Sequence, residues 1–293
     1  MNYSKFLPVL GVCALVTACG GNSGSSSSSR LSLAITDGPV EMADAVVVVF
    51  DSVELQGPER TEITLDEAVA INLLDYQNGE SLLLLDGVTL PAGEYQWIRL
   101  GVVEAESYIE IDGMQYPLEI PSSAQTGLKM NRGFTLAAGG ISQFTIDFDL
   151  RKSVHQEGTG DYKLRPTLRL VDNLEVGVIS GTVSDALITD VECDNGDNND
   201  MGNVVYLYSG LDATVLDVQG AETDPLASAN VEFNTDTGLY EYTLAFVAAG
   251  DYTLAFTCDA VLDDPLLDDS AVVTFTAGTN VSVTADEVST VDF

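Results

Sequence analysis

In two segments between residues 141 and 170 the side chains alternate with a period of two, which a half-buried β-strand satisfies and a helix does not. Phe144, Ile146 and Phe148 fall on one side of an extended segment, with Thr145, Asp147 and Asp149 on the other. Residues 162–170 repeat the pattern, with Tyr162, Leu164, Leu168 and Leu170 set against Lys163, Arg165, Thr167 and Arg169. Strands with one apolar and one charged face belong to an antiparallel sheet lying over a core. The charged faces of the two segments are opposite in sign. Helical periodicity is scarce elsewhere, so the chain is expected to be all-β.

Strand signals and turn punctuation recur along most of the length. In the first domain, strands are expected at 31–36, 45–55, 95–103, 107–111, 115–119, 141–150 and 162–171. Residues 65–85 are the exception and read as a short helix or irregular turns. Asp112-Gly113 supplies the positive φ angles of a tight hairpin between 107–111 and 115–119. A second series is expected at 178–183, 204–208, 231–233, 240–246, 252–258, 271–276 and 281–284. About seven short strands in ~120 residues suggest a β-sandwich. The expected fold is therefore two tandem antiparallel β-sandwich domains, 31–173 and 174–293. An echo links them: Leu90-Pro91-Ala92-Gly93-Glu94-Tyr95 and Val247-Ala248-Ala249-Gly250-Asp251-Tyr252 share a Gly turn followed by an acid and a Tyr that packs back over it.

The first 18 residues have the form of an export signal. Lys5 is a lone positive charge, and residues 6–16 are apolar apart from Pro8 and Gly11, too short to span a bilayer as a helix. Val16-Thr17-Ala18-Cys19 resembles a lipobox, which implies lipidation at Cys19; an ordinary signal with a chance cysteine is the alternative. Residues 20–29 are Gly, Ser and one Asn, so 19–30 reads as a flexible tether. Gly20, where an Asp would mark retention, implies outer-membrane sorting in the resembled lipoprotein class.

Charge is distributed unevenly. The chain holds 46 Asp plus Glu against 11 Lys plus Arg, and no Lys or Arg follows Arg169. Such a surface repels nucleic acid and anionic lipid. Lys129, Arg132, Arg151, Lys152, Lys163, Arg165 and Arg169 cluster in sequence, which reads either as an anion site or as ion pairs in which Asp147 and Asp149 face Lys163, Arg165 or Arg169 across strands. Cys13 leaves with the signal and Cys19 takes the lipid, so Cys193 and Cys258 remain, most simply as one disulfide, otherwise as free thiols or a metal pair. A bridge would bring the acidic run Asp194, Asp197 and Asp200 towards Asp263, Asp264, Asp268 and Asp269. Oxygen donors so gathered suit Ca²⁺, although the spacing is not that of an EF-hand, and a solvated polar loop is the alternative.

Two resemblances add to this. Leu33-Ala34-Ile35-Thr36-Asp37-Gly38-Pro39-Val40, Pro91-Ala92-Gly93-Glu94-Tyr95, Asp147-Phe148-Asp149-Leu150-Arg151-Lys152-Ser153 and Tyr162-Lys163-Leu164-Arg165-Pro166 resemble the bacterial lipoprotein family called domain of unknown function 4382, over about residues 30–172. That family brings no activity, and Gly38-Pro39 stands where its members usually have Ala-Pro. Gly181-Thr182-Val183 and Ala249-Gly250-Asp251-Tyr252-Thr253-Leu254 resemble the transthyretin-like sandwich of carboxypeptidase regulatory domains, which implies a spacer, folding aid or binding module.

No nucleophile elbow, Walker loop or dinucleotide fingerprint is present. The sole histidine, His155, lies two residues from Ser153, with no third group to complete a triad. The expected function is a noncatalytic outer-membrane lipoprotein that binds a glycan, an envelope component or a protein. A structural spacer or assembly factor is the alternative, and a hydrolytic enzyme fits least.

Overall fold

The computed structural model describes residues 27–38, 43–121, 127–158, 160–190, 201–221 and 223–293. Strand dominates, and no described helix exceeds four residues. The strands open with β1 (Ser28–Gly38), β2 (Ala45–Gln56), β3 (Arg60–Asn72), β4 (Leu82–Pro91), β5 (Gly93–Tyr95), β6 (Trp97–Val102) and β7 (Tyr108–Ile111). Next come β8 (Met114–Glu119), β9 (Leu128–Met130), β10 (Phe134–Leu136), β11 (Ile141–Asp149), β12 (Val154–Gln156), β13 (Tyr162–Leu164) and β14 (Leu168–Asp172). The chain then continues through β15 (Val176–Val183), β16 (Val204–Ser209), β17 (Ala227–Asn230) and β18 (Glu232–Asn234). It ends in β19 (Leu239–Ala248), β20 (Gly250–Thr257), β21 (Thr279–Val283) and β22 (Val288–Thr290).

Strands up to β14 build one sheet in the order β14-β11-β1-β4, a larger one ordered β12-β13-β8-β7-β2-β6-β9 with β3 on β2, and the small pair β10-β5. The first two face each other across one core. Phe50 of β2 meets Phe148 of β11 edge-on at 6.1 Å, among the fully buried Leu33, Ile35 and Ile146. Each such side chain contributes roughly 1.5–3 kcal/mol on burial. From β15 onward two four-stranded sheets, β18-β19-β15-β22 and β17-β16-β20-β21, enclose a second core that includes Ile179, Leu207, Leu244 and Leu254. The sandwiches are not purely antiparallel, because β1 runs parallel to β11, β8 to β13 and β15 to β22.

The hairpin at Asp112-Gly113 has both residues at positive φ and pairs Ile111 with Met114. Other expectations are corrected. Residues 162–171 do not form one strand: Pro166, lacking an N–H, separates β13 from β14, which join different sheets. Residues 65–72 complete β3 rather than a helix, and only Leu73–Tyr76 coils, as a 3₁₀ turn. Residues 271–276 lie beside β20 without joining its ladder. There Phe275 packs on Tyr206 and covers the outer face of β16.

The largest correction concerns β11. Its apolar face is buried as expected, yet Thr145, Asp147 and Asp149 on the other face are buried too. Residues 226–229 and 243–246, from the second half of the chain, pack over the end of that face.

Candidate functional site

Four places in the fold gather chemistry-bearing side chains. At the junction of the two halves, Asp149 accepts from the Lys152 N–H at 3.2 Å and caps the short helical turn Leu150–Ser153. That turn sends two cations into the second half. Arg151, almost fully buried, donates to the Ala260 carbonyl at 3.2 Å and lies over the Tyr206 ring at 5.3 Å. Lys152 donates to the Pro225 carbonyl and pairs with Asp149 at 3.1 Å. Across the ladder Asp147 opposes Arg169 and accepts from it. Burial lifts the Asp147 carboxyl above its ordinary value, and Arg169 opposes that rise. Asp37 stands beside them at the end of β1. Burial, reinforced by Asp147 and Asp149, raises its pKa well above the usual carboxylate value.

The second place lies in the loops covering β16. Asp217, Asp263 and Asp269 bring carboxylate oxygens within 4.8 Å of one another. The oxygens already accept protein hydrogen bonds: Asp263 from Tyr206 Oη at 2.6 Å and from the Val218 N–H, Asp217 from Gln219 Nε2 at 2.8 Å and from the Asp269 N–H. Of the expected metal ligands, Asp263 is in this cluster. Asp269, expected near it, is in the cluster too, whereas Asp264 is exposed and accepts from the Leu266 N–H, and Asp217 is the unexpected member. Asp194, Asp197 and Asp200 lie outside the described residues. Nothing in the sequence marked Asp217, a lone acid between Leu216 and Val218.

A third place is an open groove of about 930 Å³ along β7, β8 and β13. Tyr108, Tyr116 and Tyr162 line it together with Glu104, Glu106 and Asp161, and no Lys or Arg is among its described lining residues. The rings of Tyr116 and Tyr162 sit 5.3 Å apart, and Gln156 Nε2 donates to Tyr162 Oη at 2.9 Å. Register puts Tyr116 and Tyr162 on the core side of the sheet with Ile109 and Leu118, where Tyr162 is 6% exposed, and Tyr108 on the other side; sequence alternation placed Tyr162 on a core face but gave no sign of the groove.

The fourth place is the Ser153–His155 pair, which forms no catalytic arrangement. Ser153 Oγ is fully buried, donating to the Asp149 carbonyl and accepting from the Thr167 N–H at 2.8 Å. His155 is buried in β12, and burial lowers its pKa, with Arg165 adding to the effect. The basic residues do not form one patch either. Lys163 lies 3.6 Å from Glu119 and 3.5 Å from Glu157, and Arg165 lies 3.0 Å from Glu157. Lys129 lies over Trp97 at 4.6 Å, beside Arg99, at the other end of the same sheet. Cys258 is buried and disulfide-bonded, while Cys19 and Cys193 are outside the described residues.

No curated protein matches the chain. Among solved structures, a leucine-rich repeat protein from Bacteroides thetaiotaomicron aligns with 92% of this chain and 26% of its own length, at 13% identity and a TM-score of 0.27. The Bacillus anthracis TIE protein aligns over 90% and 34%, at 11% identity and 0.21. GBS52, the minor pilin of Streptococcus agalactiae, aligns over 89% and 94%, at 12% identity and 0.20. The chain thus spans about a quarter and a third of the first two. Residues 28–166, which hold the groove and the junction's Asp37, Asp147, Asp149, Arg151 and Lys152, match the family described as "Domain of unknown function (DUF4382)".

Proposed function

We propose that this chain is a noncatalytic, lipid-anchored module of the outer membrane that binds a neutral glycan in the groove of Tyr108, Tyr116 and Tyr162. The groove carries the reading. A tyrosine ring offers an apolar face to the C–H surface of a sugar and a hydroxyl to its rim. Ionised carboxylates only accept hydrogen bonds, so Glu106 suits a sugar hydroxyl, and with Glu104, which already accepts from the Ile120 N–H, and Asp161 it disfavours acidic sugars. Its volume lies within the range of small-ligand sites. The lipobox-like Cys19 and the Gly/Ser run that follows it support a membrane-tethered module facing water, although the run expected to extend to residue 30 stops where β1 begins at Ser28, and the buried, hydrogen-bonded Ser153 supports a noncatalytic one.

Binding of neutral and uronic-acid oligosaccharides, followed by calorimetry, tests this. Tyr116→Ala should weaken a neutral ligand at least tenfold with the melting temperature kept within a few degrees, and uronic acids should bind worse than neutral sugars. Binding that ignores Tyr116 would sink the groove reading. A second reading, a stiff spacer, is favoured by the way Arg151 and Lys152 tie the two halves together. It gains if no glycan binds.

A further inference from the structure

At the domain junction one charge is left over. Asp37 is 7% exposed, and neither of its carboxylate oxygens has a hydrogen-bond partner. The Gln77 side chain and the Leu150 backbone act on it in favour of the charged form without completing a hydrogen bond. Its two acidic neighbours are served, Asp147 by Arg169 and Asp149 by Lys152. Three carboxylates thus face two cations, and the surplus negative charge falls on Asp37. A buried, unpaired carboxylate costs several kcal/mol unless something neutralises or solvates it.

The space for that something is present. Asp37 lines a cavity of about 30 Å³ between the halves, with Asn78, Asp147, Asp149 and Arg169 also in its wall, the Arg169 guanidinium being engaged by Asp147. About 10–15 Å³ suffices for one water-sized occupant. The opposite wall comes from the second half, through Ser228 and Phe246. Asp37, Asp147 and Asp149 do not converge on one point as Asp217, Asp263 and Asp269 do. An occupant would therefore take Asp37 as its charged ligand and complete its shell with neutral oxygens and water.

We propose that this cavity is a binding site for one hard metal cation, calcium or sodium, held by Asp37 and joining the two halves of the chain. Both ions prefer oxygen ligands and tolerate irregular coordination, whereas Mg²⁺ demands a near-octahedral shell and gives up water reluctantly. The site is separate from the tyrosine groove and does not depend on it.

Thermal melts of the intact protein at pH 7.5 test the proposal, comparing calcium chloride, sodium chloride and tetramethylammonium chloride at matched ionic strength. Tetramethylammonium screens charge but is too large for the cavity. Calcium or sodium should raise the melting temperature by about 3 °C or more over tetramethylammonium. A response at submillimolar calcium assigns that ion, and one appearing only at tens of millimolar sodium assigns the other. Asp37→Asn keeps the shape, removes the charge and should abolish the difference, while Asp269→Asn should leave it intact. Equal responses to all three salts would overturn the proposal. So would a calcium effect lost in Asp269→Asn but kept in Asp37→Asn, which would move the site to the second half. A cation-independent protein that gains stability on acidification to pH 5, and loses that gain in Asp37→Asn, would also overturn it, showing that Asp37 carries a proton instead.

Discussion

His155 shows how the place of a single polar residue in the fold escapes a reading made from its neighbours in sequence. The structure gives it a buried place opposite Lys163 in the β12–β13 ladder. Burial and Arg165 lower its pKa below 6.5, against the pull of Asp264, Glu157 and the Lys152 backbone. The sign follows from linkage. Between pH 6.5 and the lowered folded value, an unfolded chain binds a proton that the folded one rejects, so stability falls as pH drops through that window and is level above it. Between pH 7.5 and 5.5 the urea midpoint of the wild type should fall relative to that of His155→Gln, since the raised carboxyls of Asp37, Asp147 and Asp263 act in the opposite direction in both proteins. Parallel curves for the two proteins would exclude His155 as the source. Asp147 was legible at the same scale as a cross-strand partner for a base, since both strands alternate cleanly. Its burial was not, because nothing local announces that a distant segment will cover a charged face.

At the scale of elements, short turn chemistry was the most readable part. The two echoing segments have the same device: Tyr95 Oη donates to the Pro91 carbonyl and Tyr252 Oη to the Ala248 carbonyl, each at 2.8 Å and each four residues back over the glycine. Gly57 is locked into the first copy, since a Cβ there would stand 2.4 Å from the Tyr95 ring. Tyr95→Phe and Tyr252→Phe should each cost about 0.5–1.5 kcal/mol in denaturant melts, the net worth of one hydrogen bond. A neutral result in both would reduce the echo to a coincidence of sequence. Long, weakly apolar strands were the least readable. β3 carries Glu62, Asp66 and Glu67 and has only Ile71 fully buried, so its hydrophobic signal is faint. A register shift against β2, from Phe50–Val69 to Ser52–Thr64, interrupts its alternation further. Pro166 was the opposite case, a visible breaker inside a pattern regular enough to read through.

Across the whole molecule, the uneven charge and the junction are two aspects of one arrangement. From Glu175 onward the chain carries 23 acids and no Lys or Arg, so any cation placed within the second half comes from the first. Arg151 and Lys152 are those cations, delivered by the Asp149-capped turn to the Ala260 and Pro225 carbonyls, and Arg151 also acts on the Asp263 carboxyl from its place over Tyr206. The asymmetry was plain in the sequence, but its remedy was not, because Arg151 and Lys152 read as members of a local basic cluster. The consequence is testable with the fragment 174–293. Alone, it keeps its acids and loses both cations, so self-repulsion should lower its melting temperature relative to the second-half transition of the intact chain. Repulsion among exposed acids is screened over a Debye length of about 10 Å at 0.1 M salt, whereas the buried contacts of Arg151 and Lys152 are screened much less. Raising the salt should therefore rescue the fragment more than the intact chain, and the gap between the two should be widest near 10 mM and narrow towards 0.5 M. Circular dichroism melts across that range measure the gap directly. A fragment as stable as the intact chain at every ionic strength would mean that the borrowed cations position the two halves without stabilising the second.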